Sequence, residues 1–333
     1  MSAELRRARL GAEIRRSAPE EPGVYFFLGE KGEILYVGKA VNLRRRLLSH
    51  LRPMPREEGP RHSRLAHASQ SFTCELIPSE LQALVREDEL IKLHRPLFNV
   101  RQNDFLEYRY LERTEEAFPR FCLADHEADF GVRRIFGPYR DIHAAERLMR
   151  FLQRVFGVRS CTTPDPVGRC LELPLGHCAG PCRPGAGADV VAYAREIERA
   201  EAFLRGDPTE AEDRIRRSME AAASRLEFEK AQEMKEQLLF CRRFAERARF
   251  LTAFREQRLT VSEGGRTHTF LRGRVVEPAG QPPRAPALEP PREAAGDFAD
   301  VRRDRRFVHD RAVVVHGWLR RHRDRCRYWF DEA

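Results

Sequence analysis

Short apolar segments and amphipathic stretches alternate along the first hundred residues. The segments GVYFFL, at 23–28, and EILYVG, at 33–38, are rich in aromatic and β-branched residues and are joined by the turn sequence GEKG, a pattern that predicts a β-hairpin. The later sequence FTCELIP predicts a third strand. Apolar residues at three- and four-residue spacing after Asn42, and again from Leu81 to about His94, predict two helices. These elements predict a compact α/β module.

Capping residues indicate where the two helices of this module begin. Asn42 precedes the first helix, and Ser79 forms a capping box with Gln82 ahead of the second. Between the helices, the sequence PREEGPRHS predicts a loop. We place a charged helix at 1–17 and the α/β module at 18–100.

The rest of the chain changes character several times. Strand-like pieces and one helix predict an α/β connecting region at 101–158, and a cysteine-rich loop follows at 159–185. Two long helical patterns fill 190–256. The remainder, 257–333, is rich in arginine and proline, and its stretch at 278–292 has the composition of a linker. We predict a small α/β or partly disordered region there.

Charge and composition then restrict the partners and the compartment. The 333 residues carry a formal charge of +9, and only five of the 60 basic residues are lysines. Such a balance favours a polyanion, most often nucleic acid, although an arginine-rich composition alone gives the same excess. No apolar stretch is long enough to span a membrane, and the charged N-terminus has no signal-peptide core, so we expect a cytoplasmic protein. Its eight cysteines are then expected as thiols or metal ligands.

A first group of side chains has the chemistry of phosphodiester hydrolysis. Tyr25 and Tyr36 lie on the two strands of the hairpin, so their phenols can approach each other. The helix that follows places Arg46 and His50 four residues apart, on one face. The later helix carries three consecutive acidic residues, 87–89, whose oxygens suit a hard divalent cation. Each residue alone is commonly structural, and the hypothesis depends on their combination.

These motifs resemble the GIY-YIG nuclease family. GVY and YVG stand for its two name-giving motifs, and YVGKAVNLRRRL and EDELIKLHRPLFNV are similar to the forms found in UvrC-type excision-repair endonucleases. The resemblance implies that Tyr25 takes the proton from the attacking water and that Tyr36, Lys39 and Arg46 position and stabilise charge. It also implies a metal carboxylate at Glu87 and a closing role for Asn99.

Two positions need separate comment, because one differs from the family pattern and the other has no role assigned by it. UvrC-type sequences usually have a tyrosine where this chain has His50, so the resemblance assigns that histidine no settled role among the catalytic residues. Asp88 falls on the apolar side of its helix. Because a buried unpaired carboxylate is costly, we expect Asp88 either to join the metal or to have a partner.

Four cysteines form a second group, Cys161, Cys170, Cys178 and Cys182, in a loop rich in proline and glycine. Four thiolates in one loop suit a tetrahedral zinc ion or a cubane iron–sulfur cluster. Their spacing resembles the cysteine-rich region of UvrC-type proteins, which implies a [4Fe–4S] cluster, with Zn²⁺ as the alternative.

A third feature, residues 225–244, resembles the UVR motif, a helical hairpin through which UvrC-type proteins contact UvrB. Its apolar stripe contains Phe228 and is too narrow to form a core of its own, so a UvrB-like loader protein is one expected partner. Packing of the stripe on the preceding helix of the same chain is the alternative.

Taken together, these features predict a metal-dependent endonuclease of nucleotide excision repair that acts on damaged double-stranded DNA with Mg²⁺ or Mn²⁺. No second nuclease domain is recognisable, so the chain resembles the short single-nuclease relatives of the Cho type, and this implies one incision on the 3′ side of a lesion. The alternatives are a GIY-YIG nuclease outside excision repair and a catalytically inactive repair scaffold.

Overall fold

The structure is a computed structural model that describes residues 3–52, 60–77, 79–99, 108–124, 134–162, 171–175, 177–178, 180, 190–276 and 305–332. The chain divides into two compact units. Unit 1 contains residues 1–105 and 253–333, and unit 2 contains residues 106–252.

The N-terminal part of unit 1 is the α/β module that the sequence predicts. Its three strands form one antiparallel sheet in the order β2-β1-β3, so the first strand of the chain is the central one. Its elements are α1 (Ala3–Ser17), β1 (Gly23–Leu28), β2 (Ile34–Ala40), α2 (Leu43–His50), α3 (Pro60–Ala68), β3 (Ser71–Leu76) and α4 (Glu80–His94).

Alternation along β1 gives this sheet two buried faces. Tyr25 and Phe27 belong to a core that includes residues of α1, α2 and α3. Val24, Phe26 and Leu28 point the other way and pack with residues of α4. A strand buried on both faces reads as a continuous apolar run, as GVYFFL does.

The predicted caps are confirmed, and one predicted loop is wrong. The side chain of Asn42 accepts a hydrogen bond from the Arg45 backbone at 2.8 Å, and that of Ser79 accepts one from Gln82 at 3.3 Å. Helix α3, however, begins at Pro60, within the sequence assigned to a loop. Proline is well suited to a first helical position, where its missing N–H is not needed.

Unit 2 combines a small antiparallel sheet with helices. The sheet has the order β5-β4-β6, and its elements are β4 (Arg109–Arg113), β5 (Phe121–Ala124), β6 (Ile135–Tyr139), α5 (Ile142–Phe156), α6 (Val190–Leu204), α7 (Thr209–Ser224) and α8 (Phe228–Glu256). Helix α8 runs on into the first residues of the second segment of unit 1. Stacked rings of Phe151 and Phe203, 4.8 Å apart, lie in the core of unit 2.

Three helices occupy 190–256, where the sequence pattern predicts two. Gly206 has φ +105°, which a residue with a side chain rarely adopts, and Pro208 follows it before α7. The apolar periodicity continues across this break, so periodicity alone merges the two helices.

The C-terminal part of unit 1 is an ordered α/β region. A four-stranded antiparallel sheet of order β10-β7-β8-β9 contains β7 (Arg258–Glu263), β8 (Arg266–Leu271), β9 (Arg274–Val276) and β10 (Cys326–Asp331). Helix α9 (Arg305–Arg321) precedes the last strand and packs against α4 of the first module. The predicted linker at 278–292 lies outside the described residues. Within the described residues, no helix is long and apolar enough to cross a membrane.

Candidate active site

The phenol of Tyr25 lies against a bare stretch of backbone. The hairpin register pairs Tyr25 with Gly38, and a methyl group on Gly38 would lie 2.4 Å from Tyr25 Oη. Tyr25 is fully buried. The glycine of the YVG sequence is therefore required here because only a residue without a side chain leaves room for the tyrosine hydroxyl.

Three rings from three elements converge at this point. Tyr25 Oη lies 2.7 Å from His50 Nε2, at hydrogen-bond distance. The ring centroid of Tyr36 lies 6.0 Å from that of Tyr25 and 5.3 Å from that of His50. The predicted contributions of the hairpin and of α2 are thus brought together, and His50 is a direct partner of the buried phenol.

Burial and charge act in opposite directions on the two phenols. Burial raises the pKa of Tyr25 well above its ordinary value, and nearby Tyr36 adds to this. Burial also raises the pKa of Tyr36, with Glu87 as the next cause. The nearby Arg46 guanidinium lowers both pKa values. Both tyrosines are therefore neutral near pH 7, and Arg46 is the cation beside them.

Glu87 is directed to the same site from helix α4. Its Oε1 accepts a hydrogen bond of 3.0 Å from the Lys39 backbone N–H, and the Lys39 ammonium lies 3.1 Å from Glu80 Oε1. Burial raises the pKa of Glu87, and the Lys39 backbone bond lowers it. Lys39 thus contributes its backbone to Glu87 while its side chain pairs with Glu80 at the rim.

The two carboxylates that follow Glu87 are held elsewhere. Asp88 Oδ2 lies 2.8 Å from Lys92 Nζ, and Glu89 Oε2 lies 3.2 Å from Arg86 Nη1. Asp88 therefore has the partner that its position requires. Within the described residues, Glu87 is the one member of this acidic trio that forms no ion pair with a side-chain cation.

Asn99 is bound through its amide to the backbone of β2 beside the two phenols. Its Oδ1 accepts from the Val37 backbone N–H at 2.9 Å, and its Nδ2 donates to the Val37 carbonyl at 2.8 Å. Both halves of the amide are used on β2, an edge strand of the sheet. Asn99 therefore completes the hydrogen bonds of β2 next to Tyr36.

The donor set at Glu87 fits a divalent cation. The described residues contain no cluster of three or more histidine, cysteine, aspartate or glutamate side chains that would form a closed metal site. Magnesium commonly keeps several water ligands and is held through one or two carboxylates. A single half-buried carboxylate without an ion-pair partner in the described residues, beside two phenols and an arginine, meets that requirement.

Sequence comparison identifies the family. Residues 21–100 match the UvrC-like GIY-YIG domain, and residues 108–203 match the middle domain of the UvrC/Cho excinucleases. This chain belongs to the UvrC family. The predicted resemblance and the GIY-YIG module are confirmed, and the match to the UvrC middle domain includes most of the predicted connecting region together with the residues that follow it, up to 203.

Individual UvrC relatives give the extent of the similarity. The UvrABC system protein C of Desulforudis audaxviator is 36% identical over 273 residues, which is 80% of this chain and 42% of that protein. The protein of the same name from Haloarcula marismortui is 35% identical over 245 residues, 72% of this chain and 40% of that protein. The chain thus spans about two fifths of the length of these relatives.

Solved structures overlap a smaller part. The magnesium-bound N-terminal GIY-YIG endonuclease domain of Thermotoga maritima UvrC is 34% identical and covers 26% of this chain and 96% of that one, with a TM-score of 0.23. The family assignment therefore depends on the sequence matches.

Two of the four predicted cluster ligands lie close to one buried tyrosine of the UvrC middle region. Burial raises the pKa of Tyr193 to about 12, and Cys178 and Cys161 contribute to the rise. Cys178 Sγ accepts a hydrogen bond from the Gly180 backbone at 3.4 Å, and buried Arg159 donates to the Cys161 carbonyl at 2.5 Å. Cys170 and Cys182 lie outside the described residues.

The hairpin with the predicted partner surface is divided between two environments. Phe228 and the preceding Leu226 are exposed, at the turn between α7 and α8. Met234 and Leu238, on the same predicted stripe, pack against the core of unit 2. The stripe therefore has an internal half and a solvent-exposed half, and only the second is available to a partner.

Proposed function

We propose that this chain is a metal-dependent DNA endonuclease of nucleotide excision repair that makes a single incision on the 3′ side of a lesion. The observation that carries the proposal is the convergence of Tyr25, Tyr36, Arg46, His50 and Glu87 in a chain of the UvrC family. Hydrolysis of a phosphodiester needs a positioned water, a cation for the developing charge and a group that accepts the water proton.

Tyr25 and His50 form the proton-accepting pair. Because burial raises the pKa of Tyr25, the phenol keeps its own proton near neutral pH. It accepts the proton of the attacking water only if it passes its own proton on. His50 Nε2, at 2.7 Å from the phenol oxygen, is placed to receive it. This gives His50 a role where UvrC-type sequences usually have tyrosine.

Arg46, Tyr36 and Lys39 act on the phosphate and its surroundings. Arg46 contacts both phenols, so its positive charge lies where the phosphorane charge develops. Tyr36 is close to both the proton-accepting pair and Glu87 and orients the phosphate by hydrogen bonding. Glu87 holds the divalent cation, which when bound supplies Lewis-acid stabilisation of the phosphate oxygens and the leaving group. Lys39 fixes Glu87 through its backbone N–H.

A UvrB-type loader protein and damaged duplex DNA are the proposed partners. The relatives are named as components of a UvrABC system, which supports a partner of this kind. Exposed Phe228 and Leu226 supply an apolar surface at the tip of a helical hairpin. The net charge of +9 suits DNA.

A [4Fe–4S] cluster held by Cys161, Cys170, Cys178 and Cys182 is the proposed content of the cysteine-rich loop. In the described residues, two observations support this proposal. The thiols of Cys161 and Cys178 both lie near Tyr193, and the Gly180 backbone N–H donates a hydrogen bond to Cys178 Sγ. Hydrogen bonds to sulfur are a feature of such clusters. Anaerobic purification should give a brown protein with about four irons per chain, whereas stoichiometric zinc without visible absorbance would assign the site to zinc.

The proposed activity is tested on a duplex with one bulky lesion, incubated with Mg²⁺ in the presence and absence of a UvrB-type protein. We expect one loader-dependent cut on the 3′ side, with 5′-phosphate and 3′-hydroxyl ends. Tyr25→Phe should reduce the rate about 100-fold or more, as for loss of a general base, while DNA binding is retained.

Other outcomes assign the alternatives. Equal cutting of damaged and undamaged duplex would indicate a GIY-YIG nuclease outside excision repair. Tight DNA binding with no cutting under any condition would indicate a repair scaffold. Phe228→Ala distinguishes binding of the loader from the nuclease activity itself, because it should lower loader-dependent incision and leave loader-free nicking unchanged.

A further inference from the structure

The C-terminal sheet of unit 1 has one buried face and one open face. Strand register places Phe330 with Leu259 and Phe270 on the buried face, where the last two are almost fully buried. Trp329 belongs to the opposite face, where its cross-strand partner is Thr260, and Thr269 is the next residue across the sheet. Its side chain is 45% exposed, in contrast to Trp318, which is 1% exposed. Thr260, directly opposite, is buried, so one side of the indole packs on the sheet while nearly half of the residue is left to solvent.

A cluster of arginines leads into this face. Five arginines and one aspartate lie in the eight residues from Arg320 to Arg327, and all five are exposed. Four of them, Arg320, Arg321, Arg325 and Arg327, form no ion pair within the described part of the chain. Arg327 stands two residues before Trp329 in β10, so both side chains are on the open face. We call Arg320–Arg327 and Trp329 the C-terminal strip.

Contacts within unit 1 place the C-terminal strip beside the candidate active site. His322 Nε2 lies 3.6 Å from Glu80 Oε2, and Glu80 in turn pairs with Lys39. Glu263, opposite the first residue of β10, lies 3.2 Å from Ser79 Oγ. Ser79 and Glu80 begin helix α4, which carries Glu87. The beginning of the strip thus adjoins the rim of the site, and Trp329 lies further along the same strand.

We propose that the C-terminal strip binds unpaired single-stranded DNA next to the cleavage site. Guanidinium groups neutralise phosphates without regard to sequence, and an exposed aromatic ring stacks on a base only where that base is not paired. The excess of positive charge selects a polyanion over an apolar protein segment as the occupant. The inference rests on the proposed function only for its position next to the site, because binding is measured without cleavage.

Binding is tested with the full chain in EDTA, so that no cutting occurs. The probes are a labelled oligothymidylate of roughly 16 nucleotides, which matches single-strand site sizes, an abasic oligomer of the same length, and a blunt duplex. Trp329→Ala should weaken oligothymidylate binding roughly 5- to 100-fold, since stacking of one base is lost. It should change binding of the abasic oligomer and of the duplex less than about twofold, because a phosphate contact does not need the ring.

Charge variants test the arginines separately. Arg327→Ala should lower the salt dependence of oligothymidylate binding by about 0.7 in logarithmic slope, the value for one phosphate contact on a single strand. Arg16→Ala is the matched control, because Arg16 is an exposed arginine on α1, on the other face of the nuclease sheet from α4. It should leave the slope unchanged.

Fluorescence gives a readout that does not depend on affinity. Oligothymidylate should quench the emission of wild-type protein, and Trp329→Phe, which keeps a stacking ring, should retain most affinity but lose the quenching. Unchanged binding by Trp329→Ala, or equal losses for the abasic and base-bearing oligomers, would overturn the proposal and leave a protein partner as the occupant of the face. If the chain binds oligothymidylate through Trp329 but cuts no DNA, the proposed endonuclease function is wrong and the proposal of single-strand binding by the C-terminal strip stands.

Discussion

The two faces of the nuclease sheet position their functional side chains by different means. On the tyrosine face, Tyr25, Tyr36, Arg46 and His50 all come from one hairpin and the helix that follows it. On the opposite face, helix α4 carries Glu87 and is connected to the C-terminal helix α9. Lys92 Nζ lies 2.8 Å from both Asp88 Oδ2 and Asp310 Oδ2, which joins the two helices.

The positions of the phenols therefore depend on contacts that are local in the sequence, whereas the position of Glu87 depends on long-range contacts. Hairpin register and the bare backbone at Gly38 fix the phenols, so distant changes should leave them in place. The carboxylate of Glu87 depends on helix α4, whose charged residues contact residues far along the chain. Besides the pair of Lys92 with Asp310, Arg311 Nη2 lies 3.8 Å from Glu89 Oε1. Substitutions in α9 or its partners should therefore act on Glu87 first.

Glu87→Gln should give the largest effect. Removing the one available carboxylate should lower the cleavage rate about 1000-fold, which corresponds to roughly 4 kcal/mol of transition-state stabilisation. Single-turnover cutting in Mg²⁺ measures it. Stability should not fall, because burial raises the pKa of Glu87 and the charged form is held in the fold at a cost.

Glu80→Gln is the matched control for this substitution. Glu80 lies on the same helix and also touches Lys39, but it is half-exposed at the rim, so the rate should change by only a few fold. Equal losses for the two variants would mean that the charge of α4, rather than a specific cation ligand, supports cleavage.

Lys92→Met should give the largest loss of stability. It leaves Asp88 and Asp310 as buried carboxylates without their shared cation, and loss of one partner from a buried pair costs about 3–5 kcal/mol. Chemical unfolding followed by tryptophan emission measures the stability of unit 1, because both tryptophans of the chain, Trp318 and Trp329, belong to it.

The deficit of Lys92→Met should depend on pH. Burial raises the pKa of Asp310 and Lys92 lowers it, so removal of the lysine leaves the folded pKa of Asp310 further above its unfolded value and the folded variant binds more protons than its unfolded chain. Its stability relative to wild type should therefore rise as the pH falls from 8 toward 5. A deficit that is equal at both pH values would show that packing of the lysine stem, not its charge, accounts for the loss.

The tyrosine face could be predicted from the sequence, because its elements are adjacent in the chain and its motifs are short. The Asp88–Lys92 pair has a visible signal, a spacing of four residues on one helix. Nothing in the sequence indicates that Asp310 completes the pair. A contact between residues so distant along the chain leaves no periodic pattern, and the arginine-rich composition of the C-terminal region leaves a small α/β region and partial disorder as alternatives.

The role of Asn99 shows the same limit at closer range. A motif assigns an asparagine to the site, but only the fold shows that both halves of its amide form hydrogen bonds with Val37. Gly206 and Pro208 are the sequence signal for the break between α6 and α7, which apolar periodicity alone does not show.

Asn99→Ala should destabilise unit 1 by about 2 kcal/mol, since two hydrogen bonds to a buried edge strand are lost. Cleavage should fall moderately, about tenfold, because β2 carries Tyr36 and Lys39. Asn99→Asp retains the acceptor for the Val37 N–H and should recover part of the stability but not all. A variant with full stability and no cleavage would instead place the amide among the groups that contact the reacting phosphate.

Asp310→Asn should have the smallest effect, below about 1 kcal/mol at neutral pH, because Lys92 keeps its ion pair with Asp88. Burial raises the pKa of Asp310, and the pair with Lys92 only partly offsets this. The folded pKa therefore exceeds the unfolded value, so the wild type loses stability as the pH rises through that window, whereas the variant does not. The difference between the proteins should shift in favour of Asp310→Asn from about pH 4 upward. Tryptophan-monitored unfolding at a series of pH values measures it. A large loss at neutral pH, equal to that of Lys92→Met, would mean that α9 holds the carboxylate helix through Asp310 itself rather than through the shared lysine.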